Sequence, residues 1–62
     1  MIGIPFLNGN VLWINKQYIA SILIDNEESV AEVRWNPMAG ECVVNKYEDV
    51  DTYLLQSWLK KG

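Results

Sequence analysis

The first two thirds of the chain carry short apolar runs with a period of about two, which is the repeat of a β-strand. Five such runs predict strands at residues 2–7, 10–14, 18–24, 30–35 and 41–44. The alternation is clearest in the fourth run, where Ala31, Val33 and Trp35 fall on one face. Asn8-Gly9 lies between the first two runs, and both residues tolerate the positive φ of a type I′ turn. The pattern therefore predicts a succession of short hairpins.

The third run, residues 18–24, is largely apolar at both its even and its odd positions. Ile22 and Ile24 fall on one face, and Ile19 and Leu23 fall on the other. A strand that is apolar on both faces is expected to be covered on both sides. One helix covers only one face of a five-stranded sheet. We therefore expect a second copy of the chain to cover the rest, either sheet on sheet or through edge strands.

From Tyr47 onward the apolar spacing changes to about 3.6 residues, which is the repeat of an α-helix. This spacing predicts a helix whose apolar stripe consists of Val50, Leu54, Leu55, Trp58 and Leu59. Asn45, with Glu48 three residues later, predicts a capping box at the start of that helix.

These elements predict a single small domain over residues 1–62 with the fold class α+β, mostly β. Its expected architecture is an antiparallel meander of about five short strands within residues 2–44, followed by one C-terminal helix at about 47–61. The chain has 62 residues, and 50% of them are hydrophobic. A chain of this size buries only about 60% of the surface that its unfolded form exposes. Part of the apolar surface is therefore expected to be covered by a partner or a second copy.

Three Trp and three Tyr are a heavy aromatic content for so short a chain. Each Trp falls where an apolar residue is expected, which favours a place in the core. Trp and Tyr are also enriched in protein interfaces, and their rings stack on nucleobases. The candidate interface or ligand-stacking residues are Trp13, Tyr18, Trp35 and Trp58.

The side chains that most enzymes and metal sites require are scarce in this chain. It has no His and one Cys, so we expect no zinc, copper or haem site and no catalytic residue. Cys42 lies in an apolar strand run, which is typical of a small core residue. A lone Cys cannot form an internal disulfide, which favours a reducing compartment and hence the cytoplasm. The carboxylates cluster at a turn and at the start of the predicted helix, where solvation and capping explain them. We therefore expect a protein that is not an enzyme and has no cofactor.

Charge and hydropathy limit the class of partner. The formal net charge is −3, which disfavours a nucleic-acid polymer as the main partner. No apolar run approaches the ~20 residues that a membrane-spanning helix needs, so no membrane span is expected. Arg34 and Lys16 are the candidate contacts for a small anion. Strand alternation sends Arg34 and Trp35 to opposite faces, so the sequence favours an exposed cross-strand ion pair for Arg34 over an anion contact.

The order of these motifs resembles that of the short FlbD/SwrD-type proteins of bacterial flagellar and swarming operons. The resemblance covers most of the chain and is carried by Phe6-Leu7-Asn8-Gly9, Ile14-Asn15, Ile19, Ile22, Val30, Val33, Gly40, Val43-Val44 and Glu48-Asp49-Val50. It implies a non-enzymatic accessory protein.

The expected function is that of a small, non-enzymatic, homo-oligomeric binding protein. In this interpretation it acts through protein–protein interaction in a flagellar-accessory-like role, with a host or bacterial protein as its partner. The alternative is an oligomeric sponge, encoded by a phage or prophage, that sequesters a cyclic or linear nucleotide signal of host defence. Trp and Tyr would then stack on the base, and Arg34 or the lysines would neutralise the phosphate.

Overall fold

The structure, a computed structural model, describes residues 1–37 and 43–61. Its elements in chain order are β1 (Ile2–Pro5), β2 (Val11–Ile14), a 3₁₀ helix (Lys16–Tyr18), β3 (Ile19–Asp25), β4 (Val30–Trp35), β5 (Val44–Tyr47) and α1 (Thr52–Lys61). All strand pairs are antiparallel, and each strand pairs with a neighbour in sequence. The predicted fold class, an α+β, mostly β meander with one C-terminal helix, is confirmed.

The five strands form two sheets. One sheet contains β1 and β2, and the other has the order β3-β4-β5. The buried core lies between these sheets and α1, and it consists of Ile4, Ile14, Ala31, Val33, Val50 and Leu55. Ala31 and Val33 face the core as the alternation predicted, and Trp35 packs against it while staying half-buried.

The β1–β2 hairpin forms where it was predicted, but its turn is of another type. The loop closes with a hydrogen bond from the Gly9 N–H to the Phe6 carbonyl at 3.0 Å, and Phe6 N–H donates to the Asn10 carbonyl at 2.8 Å. Gly9 has a φ of 92°, whereas Asn8 does not have a positive φ. A type I′ turn needs positive φ at both residues, so that prediction is wrong. The loop has three residues and places only its glycine in the left-handed region.

The last strand and the helix lie further along the chain than predicted. The strand expected at 41–44 is Val44–Tyr47, and the helix expected from about residue 47 begins at Thr52. Tyr47 pairs with Ala31 of β4, and its ring contacts Phe6 edge-on with centroids 6.3 Å apart. Pairing with β4 therefore decides the conformation of Tyr47, although its spacing to the following apolar residues fits a helix. Residues 38–42, which include Cys42 and the first two residues of the strand expected at 41–44, lie outside the described residues.

The predicted capping box is also wrong, because Asn45 lies inside β5. Asp51 caps the helix instead, and its Oδ1 accepts a hydrogen bond from Leu54 N–H at 3.2 Å. Asp49, with a φ of 54°, turns the chain between β5 and α1.

The segment between β5 and α1 fixes the helix beside β1. Phe6 and Val50 form an isolated antiparallel bridge, and the Asp51 N–H donates to the Pro5 carbonyl at 2.9 Å. The Val50 N–H donates to the Ser29 carbonyl at 2.8 Å, which joins the same segment to the β3–β4 turn. The helix is therefore held at the edge of β1 that β2 does not occupy.

Candidate interaction surface

Two tryptophan side chains from distant parts of the sequence stack on the surface. Trp13 of β2 and Trp58 of α1 have ring centroids 6.1 Å apart and an interplanar angle of 5°. Trp58 is half-buried, whereas Trp13 keeps 59% of its surface exposed. The stack is therefore formed within the chain and still presents a large indole surface to solvent.

Gly3 lies beneath both rings and makes the stack possible. It is the strand partner of Trp13 in the β1–β2 hairpin and is buried. A Cβ at this position would lie 2.8 Å from Cζ3 of Trp13 and 3.0 Å from Cζ3 of Trp58. Real Cβ atoms essentially never come as close as 2.8 Å, so glycine leaves room for both rings where they lie, and a larger residue would displace the indoles.

Two aliphatic residues extend this surface on either side of the stack. Val11 lies two residues before Trp13 on the same face of β2 and is 36% exposed. Leu54 lies one helical turn before Trp58 and is 38% exposed. We call the surface formed by Val11, Trp13, Leu54 and Trp58 the tryptophan face.

The sequence named two members of the tryptophan face and missed the rest. Trp13 and Trp58 were candidates from residue type alone. Gly3 carried a usable signal, since a glycine inside a strand often marks a close approach of other groups. The strand repeat could have placed Val11 beside Trp13, and the helical repeat could have placed Leu54 beside Trp58. Only the packing of α1 beside β1 brings these two pairs together.

The other two aromatic candidates lie in different surroundings. Trp35 ends β4, pairs with Ile19 of β3 and packs against the core. Tyr18 ends the 3₁₀ helix, is exposed, and its carbonyl accepts the Asn36 N–H at 2.9 Å. The structure therefore brings Trp13 and Trp58 together. Tyr18 and Trp35 lie instead where β3 begins and β4 ends.

The two candidate anion contacts are exposed and lie on separate elements. Lys16 begins the 3₁₀ helix, and Arg34 lies on the outer face of β4. The residues opposite Arg34 are Ser21 on β3 and Val44 on β5, and neither is charged. The expected cross-strand ion pair of Arg34 is therefore absent from residues 1–37 and 43–61.

A groove of about 430 Å³ runs over the outer face of the three-stranded sheet. Its lining is mainly acidic: Leu23, Asp25, Glu28, Val30, Glu32, Lys46, Glu48 and Asp49. The Asp25 carboxylate is also used locally, since its Oδ1 accepts the backbone N–H groups of Glu27 at 3.0 Å and Glu28 at 3.2 Å. Asp25 therefore stabilises the turn between β3 and β4, as the sequence predicted for the acidic residues of that turn. In the part of the chain that the structure describes, no group of three or more acidic, Cys or His side chains is arranged to hold a metal ion.

Comparisons with known proteins do not indicate a function, so the function is inferred from the geometry of the chain. No family model, curated protein or solved structure matches the sequence. The resemblance to FlbD/SwrD-type proteins therefore stays a prediction. Among the described residues, no helix has the length and apolar character needed to cross a bilayer.

Proposed function

We propose that the protein is a small, non-enzymatic, self-associating binding protein that engages a protein partner through the tryptophan face. The observation that carries this proposal is the exposure of Trp13, which keeps 59% of its surface free although it stacks on Trp58. An accessory role of the flagellar or swarming type, in the cytoplasm, is the biological setting that the sequence resemblance suggests.

Covering Trp13 would contribute substantially to binding. A tryptophan side chain buries about 150–250 Å² in a core or interface. With 59% of that area exposed, a partner that covered the ring completely would gain up to about 2–4 kcal/mol at ~25 cal/mol per Å². This is the range of an interface hot spot.

The tryptophan face is also prepared for binding before a partner arrives. Gly3 and the ring of Trp58 fix the position of Trp13 from two sides. A side chain held in place loses little conformational entropy on association, which leaves more of the contact energy for affinity. Surfaces with rigid aromatic anchors are therefore favoured for protein recognition.

The test replaces the exposed indole and compares it with a matched aromatic site. Trp13→Ser removes the exposed ring of the tryptophan face, and Tyr18→Ser removes an exposed ring from the 3₁₀ helix. Immobilised wild type and both variants are incubated with a lysate of the expressing cells. Any protein retained by the wild type is purified, and its Kd is measured against all three.

We expect Trp13→Ser to weaken that Kd by about 30-fold or more, since 2 kcal/mol corresponds to roughly this factor. Tyr18→Ser is expected to change it less than threefold. Circular dichroism checks that both variants are folded. Equal binding by the wild type and Trp13→Ser would show that the tryptophan face is not the binding surface.

Nucleotide sequestration stays a prediction, and the positions of the candidate residues favour it less. The indoles of Trp13 and Trp58 cover one face of each other, which leaves each ring one face for a base. Arg34 lies on the outer face of β4, in the other sheet. A thermal-shift panel of cyclic and linear nucleotides tests it directly. A ligand at 100 times its Kd would add about 2.7 kcal/mol of stability.

A further inference from the structure

β3 is the longest strand and lies at an edge of its sheet. It has seven residues, and among the described residues only β4 pairs with it. No other described element lies alongside it over an appreciable length. Alternate N–H and C=O groups of an edge strand point away from the sheet, so β3 offers a row of backbone donors and acceptors to another strand.

Two of the other three sheet edges are better protected against pairing, and the third, that of β2, has only four residues against seven in β3. The end of the β1 edge, at Pro5 and the adjoining Phe6, is occupied by the segment before α1, through the Phe6–Val50 bridge and the hydrogen bond from Asp51 to Pro5. β5 has four residues and carries Lys46 in its interior. Residues 21–25 of β3 contain neither Pro nor Lys, the residues that most often block edge pairing.

β3 also exposes apolar side chains along this edge. Leu23 keeps 66% of its surface exposed, and Ile22 and Ile24 on the opposite face are only half-buried. The expectation that this strand is covered on both sides is therefore not met within one chain. A second strand beside β3 would cover all three residues.

We infer that two copies of the chain pair antiparallel through β3, with Leu23 opposite Leu23 of the second copy. This inference rests on the self-association included in the proposed function and assigns its site. Antiparallel pairing follows from symmetry, because a two-fold axis perpendicular to the sheet brings the same edge of both copies together in opposite directions.

The irregularity in β3 selects the register. The pairing of β3 with β4 shifts between Ile19 and Ser21, and it is regular over residues 21–25. Leu23 is the middle of that regular segment. Centring the axis there places Ser21 opposite Asp25 and Ile22 opposite Ile24. An axis at Ile22 would bring the irregular part of the strand into the ladder instead.

This register keeps like charges apart in spite of the acidic groove. Glu32 is the β4 neighbour of Leu23 on the outer face. The two copies of Glu32 would lie three strand spacings apart, about 14 Å. The two copies of Asp25 would be separated by four residues along the strands, about 13 Å. Both separations exceed the Debye length of about 8 Å at physiological salt. Each Asp25 would instead face the hydroxyl of Ser21, which can donate to it.

The expected dimer is reversible. Five residues from each copy form five facing pairs, a short ladder that covers less than the ~800 Å² per partner of a standard interface. We therefore expect monomer and dimer to exchange at micromolar concentrations. Cross-linking captures such a dimer better than separation by size.

The test uses single cysteines in a Cys42→Ser background under mild oxidation. In this register Leu23→Cys places two thiols on directly opposed residues, whose Cα atoms lie about 4.5–5.5 Å apart, within the range of a disulfide. A dimer of two Ser21→Cys chains, or of two Asp25→Cys chains, does not bring its thiols opposite each other. A mixed dimer of the two variants does. Leu7→Cys, at an exposed loop position, measures cross-linking by random collision.

We expect Leu23→Cys to form a covalent dimer at least ten times faster than Leu7→Cys. Ser21→Cys and Asp25→Cys are expected to cross-link when mixed and not when separate. A Leu23→Cys rate equal to that of Leu7→Cys would overturn the inference. Rapid formation of the mixed disulfide between Ser21→Cys and Leu23→Cys, rather than the Leu23→Cys homodimer, would overturn the register, since that pair faces in a dimer centred on Ile22.

Light scattering separates this inference from the proposed function. Leu23→Lys, at an exposed position, is expected to weaken dimerisation more than tenfold while binding at the tryptophan face is unchanged. The wild type and Leu23→Lys could both dimerise while Leu23→Cys does not cross-link. That result would place the interface elsewhere and leave self-association intact. A wild type that stays monomeric at several hundred micromolar would refute self-association itself, whereas the Kd of Trp13→Ser tests the tryptophan face independently.

Discussion

At the residue scale, Gly3 has the least freedom to be replaced. Its missing side chain leaves room for the rings of Trp13 and Trp58, which approach an ideal Cβ to 2.8 and 3.0 Å. Gly9 contrasts with it, because a Cβ there would have nothing within 4 Å but its φ is 92°. The two glycines are therefore required for different reasons, one for space and the other for backbone conformation.

Gly3→Ala is expected to destabilise the fold by about 1–3 kcal/mol, the usual cost of overpacking. It should also change the near-ultraviolet circular dichroism, because the two indoles must move apart. Gly9→Ala serves as the matched control and should cost about 1–2 kcal/mol through its backbone, with the tryptophan signal unchanged. A Gly3→Ala protein with wild-type stability and spectrum would contradict the packing described for the stack.

Ser29 is held in the left-handed region with a φ of 56°, and its carbonyl accepts the Val50 N–H. That conformation costs a residue with a side chain roughly 1–2 kcal/mol, part of which glycine recovers. Ser29→Gly is therefore expected to stabilise the protein by up to about 1 kcal/mol in urea unfolding. Ser57→Gly, on the exposed side of α1, should instead lower stability by about 0.5 kcal/mol. Loss of stability in both variants would argue against the strain at Ser29.

At the element scale, the boundary between β5 and α1 shows how far local pattern can be trusted. Tyr47 and Val50 are three residues apart, which fits the helical repeat, so the sequence pattern placed both in the helix. Tyr47 pairs with Ala31, and Val50 bridges Phe6. These partners are distant in sequence, and their contacts decide the conformation. Residues 30–35 were predicted with the right bounds because their alternation agrees with their pairing on both sides.

The helix cap gives a direct test of this boundary. Asp51→Ala should lower the free energy of unfolding by about 1 kcal/mol, since it removes the acceptor for the Leu54 N–H. Asn45→Ala, at the residue that the sequence pattern favoured as the cap, should change it by less than about 0.5 kcal/mol because that side chain is exposed on β5. Chemical denaturation measures both. A larger effect of Asn45→Ala would support the helix start predicted from the sequence.

At the scale of the whole molecule, the candidate site was predictable only in its residue types. The aromatic content left each tryptophan a place either in the core or in an interface, and Trp13 and Trp58 were among the interface candidates. Their stacking depends on α1 lying beside β1, which the hydrogen bond from Asp51 to Pro5 fixes. No local pattern encodes that contact. Trp35 differs, because the strand alternation already placed it on the same face of β4 as Ala31 and Val33, which face the core.

A dimer formed through β3 makes the thermal stability depend on concentration. Above the dissociation constant, a tenfold rise in protein concentration stabilises the dimer by about 1.4 kcal/mol. Shared between two chains, this is about 0.7 kcal/mol per chain. For a domain of this size that raises Tm by about 3–6 °C. Scanning calorimetry at two concentrations should show this shift for the wild type and a much smaller one for Leu23→Lys. A wild-type Tm independent of concentration would count against dimerisation.

The stack between Trp13 and Trp58 also affects how the chain folds during its synthesis. The β1–β2 hairpin leaves the ribosome well before the helix that completes its surface. Until α1 emerges, Trp13 has no stacking partner and the outer edge of β1 has nothing to pair with. A contact between residues so far apart in sequence forms late. Until α1 emerges, the nascent chain therefore exposes an incomplete hairpin, whose Trp13 side chain is accessible to chaperones and proteases.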